Sequence, residues 1–203
     1  AIIFFIVGLR VLRLQNQEKT AIIFHHLCVA IGTLILLTPG IYKVSYFGFG
    51  YLHELFFYLS YTLVPVLFFH FTVIFPHEKF FHTRKVLIPL YSLGIILGVI
   101  AFSTFLRSAY PEVDLNYYPQ YSRACTAILI FFAVLFLSGF GNIIHSYIIA
   151  KEEMVRRKLR WTLFGIIFGA CAYIFFSVIP RIFTHRILLP EEFLIAFSVI
   201  API

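Results

Sequence analysis

The sequence predicts an all-α, polytopic transmembrane bundle of about seven helices, and three observations carry that prediction. Of 203 residues, 61% are hydrophobic, only 12% are charged and 26 are Phe. With a mean hydropathy of +0.95, a water-soluble fold has nowhere to hide that much apolar surface. Mostly apolar runs recur along the chain, each long enough to cross ~30 Å of hydrocarbon at about 1.5 Å per residue. The basic residues concentrate between those runs, most heavily in residues 151–161, KEEMVRRKLRW, which hold five of the sixteen Lys and Arg.

Residues 1–12 form a run too short to span and read as the remainder of a helix that begins upstream. They lack the charged leading region and small-residue cleavage site of a signal peptide. Arg10, Arg13, Glu18 and Lys19 mark a polar loop. A second run, residues 21–37, stops at Pro39-Gly40, a helix-terminating pair. Residues 42–51 form an aromatic and glycine loop suited to an interface. The third run, residues 52–75, contains Pro65 and ends at Pro76. The fourth, residues 86–106, carries Gly94 and Gly98 four apart, on one face, where two backbones can approach closely.

Residues 107–123 read as the longest loop, with Pro111, Glu112, Asp114, Pro119 and four tyrosines. The fifth run, residues 124–149, is followed by the basic stretch 151–161, read as a polar loop. The sixth run, residues 161–182, repeats the spacing of four with Gly165 and Gly169 and is expected to end at Pro180 and Arg181. A seventh run begins at Phe193 and is cut short at Ile203. The whole chain is read as one transmembrane domain, part of a longer protein.

Grouping the loops after runs one, three and five gives one side eleven Lys and Arg, against five on the other. Basic residues beside short loops are held on the cytoplasmic face during insertion. The expected orientation is therefore amino terminus outside and carboxyl terminus in the cytoplasm. Trp161, opening the sixth run, suits the headgroup level, where its ring is buried and its N–H stays wet.

Composition and spacing also exclude function classes. The formal charge of +7 is scattered over short loops and makes no stripe for nucleic acid, so no nucleic-acid partner is expected. Cys28, Cys125 and Cys171 lie inside apolar runs without metal-like spacing and read as small packing residues. Ionisable groups inside membrane runs are costly and often functional, which directs attention to His25, His26, His53, Glu54, His70 and His145. None of these histidines pairs with another on its own run at a spacing of three or four, and no histidine box, serine elbow, HExxH or phosphate loop is present. A haem pair between helices, such as His70 with His145, stays open, as do a small-molecule transporter and a histidine-dependent membrane enzyme. No internal repeat supports a transporter built from two matching halves. No cofactor or metal is expected within this chain.

The stretch LFFHFTVIFPHEK, with His70, Phe75 and Pro76, is followed about eighty residues later by RRKLRWTLFGIIFG and then by VIPRIF and LLPEEF. This pattern resembles the membrane sensor region of bacterial multi-helix sensor histidine kinases of the quorum and competence type. Similar regions also precede PP2C-type phosphatase outputs. Lys158 stands where that family usually has Gln. The resemblance implies a non-catalytic input module in the bacterial cytoplasmic membrane. It also implies an external domain before the first helix and a dimerising cytoplasmic kinase core after the last, with ATP needed only by that core.

On this reading His70, Phe75 and Pro76 form a corner with His70 bonding a neighbouring helix. Arg157, Arg160 and Trp161 anchor a turn against lipid or relay movement, and Pro180 ends the sixth helix. An unknown external ligand would meet Tyr46, His53, Glu54, Tyr110, Glu112, Asp114, Tyr117 and Tyr118, on the two outer loops.

Overall fold

In the computed structural model the helices are α1 (Ile2–Leu14), α2 (Lys19–Leu37), α3 (Phe49–Ile74), α4 (Arg84–Ala109), α5 (Tyr118–Ile149), α6 (Glu153–Ile166), a π-helical stretch (Ile174–Val178) and α7 (Ile179–Thr184). The structure describes residues 1–15, 17–38, 49–76, 78–79, 82–109, 116–167, 171 and 173–184. Among them there is no strand, and the fold is the all-α bundle that the apolar runs predict. The seventh run, from Phe193, lies outside the described residues.

Four helices are long and apolar enough to cross a membrane, within Lys19–Leu37, Tyr51–Ile74, Arg84–Ser108 and Tyr118–Ile149. Helix α3 is the hub: 56% of its membrane-length window is buried, against 22% for α2 and for α4. It packs against α2, α4 and α5, while α1 lies on α2 and α6 on α5. Val64, Leu67, Phe68 and Phe71 of α3 meet Leu129, Phe132 and Phe136 of α5 in the main core. Phe68 and Phe136 stack with ring centroids 4.6 Å apart. The outward faces are apolar as well, with Ile88, Ile95, Ile96 and Val99 on α4 and Ile130, Val134 and Leu137 on α5 exposed. Such a surface suits contact with lipid chains. Because those chains are as apolar as the side chains, fit between helices rather than water exclusion holds the bundle together.

Small residues set that fit. An added Cβ at Gly98 would lie 3.0 Å from Thr62 Oγ1 and 3.4 Å from Leu59 Cα, so the glycine spacing in α4 does bring its backbone close to α3. The tightest contact in α5 was not anticipated: a Cβ at Gly139 would meet Phe68 Cε1 at 2.8 Å. Gly165 is buried, and Gly169 lies outside the described residues.

Three element boundaries correct the sequence reading. The stretch 151–161 is not a polar loop: Glu153 onward is helical and forms the start of α6, leaving only a tight turn around Ala150–Glu152. The stretch contains no Gly or Pro and is rich in Glu, Met, Arg, Lys and Leu, all good helix formers, so its charge marks an exposed helix face and not a loop. The loop read over 107–123 is shorter, because α4 continues to Ala109 and α5 already starts at Tyr118. Arg107 sits in the last turn of α4, where a cation complements the helix dipole, and Pro119 in the first turn of α5, where a missing N–H costs nothing. Pro180 does not end its helix but lies buried within α7, directly after the π-helical stretch. There Ile179 N–H reaches back to Ile174 O, a wider turn than α, which places Pro180 where its missing donor is tolerated.

Candidate functional site

The connections α1–α2, α3–α4 and α5–α6 converge at one end of the bundle, and side chains tie them together. That end gathers the eleven basic residues that the loop grouping placed on one side. The α3–α4 connection is its centre. Helix α3 finishes at Ile74, the Phe75–Pro76 peptide is cis, and Lys79 N–H returns to Val73 O at 2.9 Å, folding the chain back on the helix it has left.

From this turn Glu78 reaches α2, where Lys19 Nζ donates to Glu78 Oε1 at 2.9 Å. His82 Nδ1 lies 3.6 Å from the other oxygen, Oε2. The hydrogen bond and charge of Lys19 hold the Glu78 carboxyl below the usual carboxylate range. Lys79 reaches the opposite way, to α5, donating to Asn142 O at 2.7 Å. That carbonyl also accepts from Ser146 Oγ at 2.8 Å. Half-buried, with no carboxylate partner among the described residues, Lys79 is pushed down to about 8 by desolvation.

His70 sits on α3 just below the turn. Its Nδ1 lies 2.9 Å from Tyr91 Oη on α4, and its ring stacks on His82 with centroids 5.5 Å apart. Phe75 stacks on Phe71 at 5.1 Å. Beside the turn, a half-open cavity of about 560 Å³ runs between Pro76, Glu78 and Lys79 on one side and Asn142, His145, Lys151 and Val155 on the other.

Helix α6 leaves this end with Arg157, Arg160 and Trp161 all exposed, Trp161 edge-on to Phe164 at 6.2 Å. Arg156, also exposed, lays its guanidinium 5.0 Å from the centre of the Tyr147 ring on α5, and Arg160 lies beside the same tyrosine. Pro180 is far along the chain in α7, where it is buried.

At the opposite end His53 and Glu54 are neighbours near the start of α3, 3.9 Å apart and largely buried. Tyr117 and Tyr118 are exposed at the start of α5. Tyr46, Tyr110, Glu112 and Asp114 lie outside the described residues. Between these groups, Tyr58 Oη and Tyr121 Oη are 2.8 Å apart in a second core cluster with Ala101 and Ile128. His25 and His26 do not face one another as ligands would. Their rings meet edge to face at 5.8 Å, and His26 Nδ1 is spent on Ile22 O at 2.7 Å. Among the described residues no three His, Cys, Asp or Glu side chains converge as metal ligands.

Of the residues singled out in the sequence, His70, Phe75 and Pro76 lie at this turn; Lys19, Glu78, Lys79, Tyr91 and Asn142, which complete the cluster, were not singled out. Asn142 enters the cluster through its backbone carbonyl, which the residue type does not announce. No family model, no curated protein and no solved structure matches the chain.

Proposed function

We propose that the chain is the membrane-embedded, non-catalytic input module of a bacterial signal-transduction protein, passing an external or membrane signal toward a cytoplasmic output. The sensor histidine kinase type is the form favoured by the resemblance of the HFTVIFP and RRKLRW stretches, with a PP2C-type phosphatase as the other output. The observation that carries the reading is the strapped turn after α3. Glu78 and Lys79 tie it to α2 and α5 at once, and His70 ties α3 to α4, so a shift of one of these four helices bears on the other three.

In such a module an external ligand binds one helix arrangement better than another, and the population shift is felt at the strapped end. The concentration of basic residues there supports placing it on the cytoplasmic face of the bacterial membrane, with the amino terminus outside and homodimerisation supplied by a cytoplasmic region.

The test is the reading frame beyond Ile203. A phosphoacceptor helix with an ATP-binding domain, or a phosphatase domain, supports the proposal, and a stop codon close behind sinks it. Substituting His25, His53, His70 and His145 separates the rival classes. An enzyme or haem protein loses its activity or cofactor, whereas an input module changes its set-point.

A further inference from the structure

The cavity beside the strapped turn has an unusual charge balance. Of its lining groups, Glu78 is already held by Lys19, and Lys151 and Glu152 are exposed neighbours of opposite sign. That leaves the Lys79 ammonium, half-buried and bonded only to a backbone carbonyl among the described residues. Around it stand further polar groups, Asn142, His145 and Ser146, and the apolar surfaces of Pro76, Ile149, Ala150 and Val155. The first turn of α6 borders the same space, and no side chain caps that helix. A partly desolvated cation favours an anion, and the apolar wall favours a ligand with a hydrocarbon portion.

We propose that this cavity binds the phosphate of an anionic phospholipid, with Lys79 as its principal cationic contact and the apolar wall taking the start of its acyl region. The cavity is half-open, so a ligand can enter it. The exposed Arg157, Lys158 and Arg160 of α6 raise the local concentration of anionic lipid around it. Binding brings a negative charge to Lys79, which has no carboxylate partner among the described residues, and it joins the α3–α4 connection, α5 and α6 through one ligand.

The experiment uses the full chain in dodecylmaltoside micelles, with dioleoylphosphatidylglycerol, dioleoylphosphatidylcholine and inorganic phosphate as probes, and bound lipid counted by native mass spectrometry. Phosphatidylglycerol is expected to bind, with Lys79→Gln weakening it about ten-fold or more, as loss of a charge-assisted hydrogen bond requires. Lys79→Arg should keep most of the affinity. Lys158→Gln, on the exposed helix face, should change it by less than about two-fold, as expected of an exposed cation. Equal binding by wild type and Lys79→Gln overturns the proposal. Displacement of the lipid by millimolar inorganic phosphate overturns the lipid assignment in favour of a free anion. Should Lys79→Gln fail to fold, the ¹³C-dimethyl-lysine resonance of wild-type Lys79 decides. Its titration midpoint must rise on adding phosphatidylglycerol and stay put with phosphatidylcholine, and an unmoved midpoint in both refutes the site. None of these readouts depends on the signalling role.

Discussion

Two glycines two residues apart on α5 make a controlled test of how this bundle is packed. Gly139→Ala and Gly141→Ala add the same methyl group to the same helix, so both gain about 1 kcal/mol in helix propensity. At Gly141 nothing lies within 4 Å of the new Cβ, whereas at Gly139 it meets Phe68 Cε1 at 2.8 Å and Cδ1 at 3.0 Å. The ring cannot swing clear, because it is stacked on Phe136 at 4.6 Å and Thr72 Cγ2 stands 3.4 Å from the new atom. Relief therefore requires α3 and α5 to move apart by several tenths of an ångström. Overpacking of that kind costs about 1–3 kcal/mol.

The propensity gains cancel between the two variants, so this cost is the difference between them. In thermal unfolding followed by circular dichroism in dodecylmaltoside, Gly139→Ala should melt about 2–12 °C below Gly141→Ala. Melting temperatures within about a degree of each other would falsify the tight α3–α5 contact.

Other consequences follow from the ties at the two ends. A zero-length carbodiimide should join Lys19 to Glu78 as an amide, because the atoms are 2.9 Å apart and the depressed carboxyl is ionised under the mildly acidic conditions of the reaction. Peptide mapping that finds no such link would place the α1–α2 and α3–α4 connections at different ends. Lys79 should titrate near 8, read from its ¹³C-dimethyl resonance in the ligand-free chain. Between about 8 and the ordinary 10.5 the unfolded chain holds a proton that the folded chain has released, so stability should rise with pH across that window. Lys79→Met should flatten the rise, and a slope unchanged by the substitution contradicts the half-buried ammonium. Tyr58→Phe and Tyr121→Phe should each cost about 1 kcal/mol, since either alone strands the other's hydroxyl in the core. The double variant should cost less than the sum, and strict additivity would mean that the two hydroxyls do not interact.

The parts of the fold set by local composition were legible in the sequence. Runs such as residues 52–75 and 124–149 announce spanning helices by length alone, and Gly94 with Gly98 announces a close face by spacing. Boundaries are less legible, because charge marks an exposed helix face as readily as a loop. In KEEMVRRKLRW the same charges sit on residues that favour helix, and the backbone continues through them as α6. Pro119 and Pro180 misled for a related reason. Proline stops a helix only where the missing donor and the ring clash both matter, and neither residue sits at such a place.

The candidate site was legible only where a single stretch carried it. His70 and Pro76 lie within seven residues and could be read together, but their neighbours arrive from far along the chain. Lys19 and Glu78 are 59 residues apart, and Lys79 and Asn142 are 63 apart. Nothing in the local pattern of either partner points to the other, because only the packing of α3 against α2 and α5 brings them together. The Tyr58–Tyr121 pair, also separated by 63 residues, was hidden in the same way.

The proposed topology has α2 to α5 crossing the membrane with the strapped, basic end on the cytoplasmic face. Single cysteines at Leu14, Met154 and Tyr118, which are 74%, 72% and 56% exposed, test it directly in a chain whose native cysteines are replaced. With a membrane-impermeant maleimide, Tyr118→Cys should be labelled in intact cells, and Leu14→Cys and Met154→Cys only in inside-out vesicles. Labelling of Leu14→Cys and Met154→Cys from opposite faces, or of all three from one face, would contradict the account.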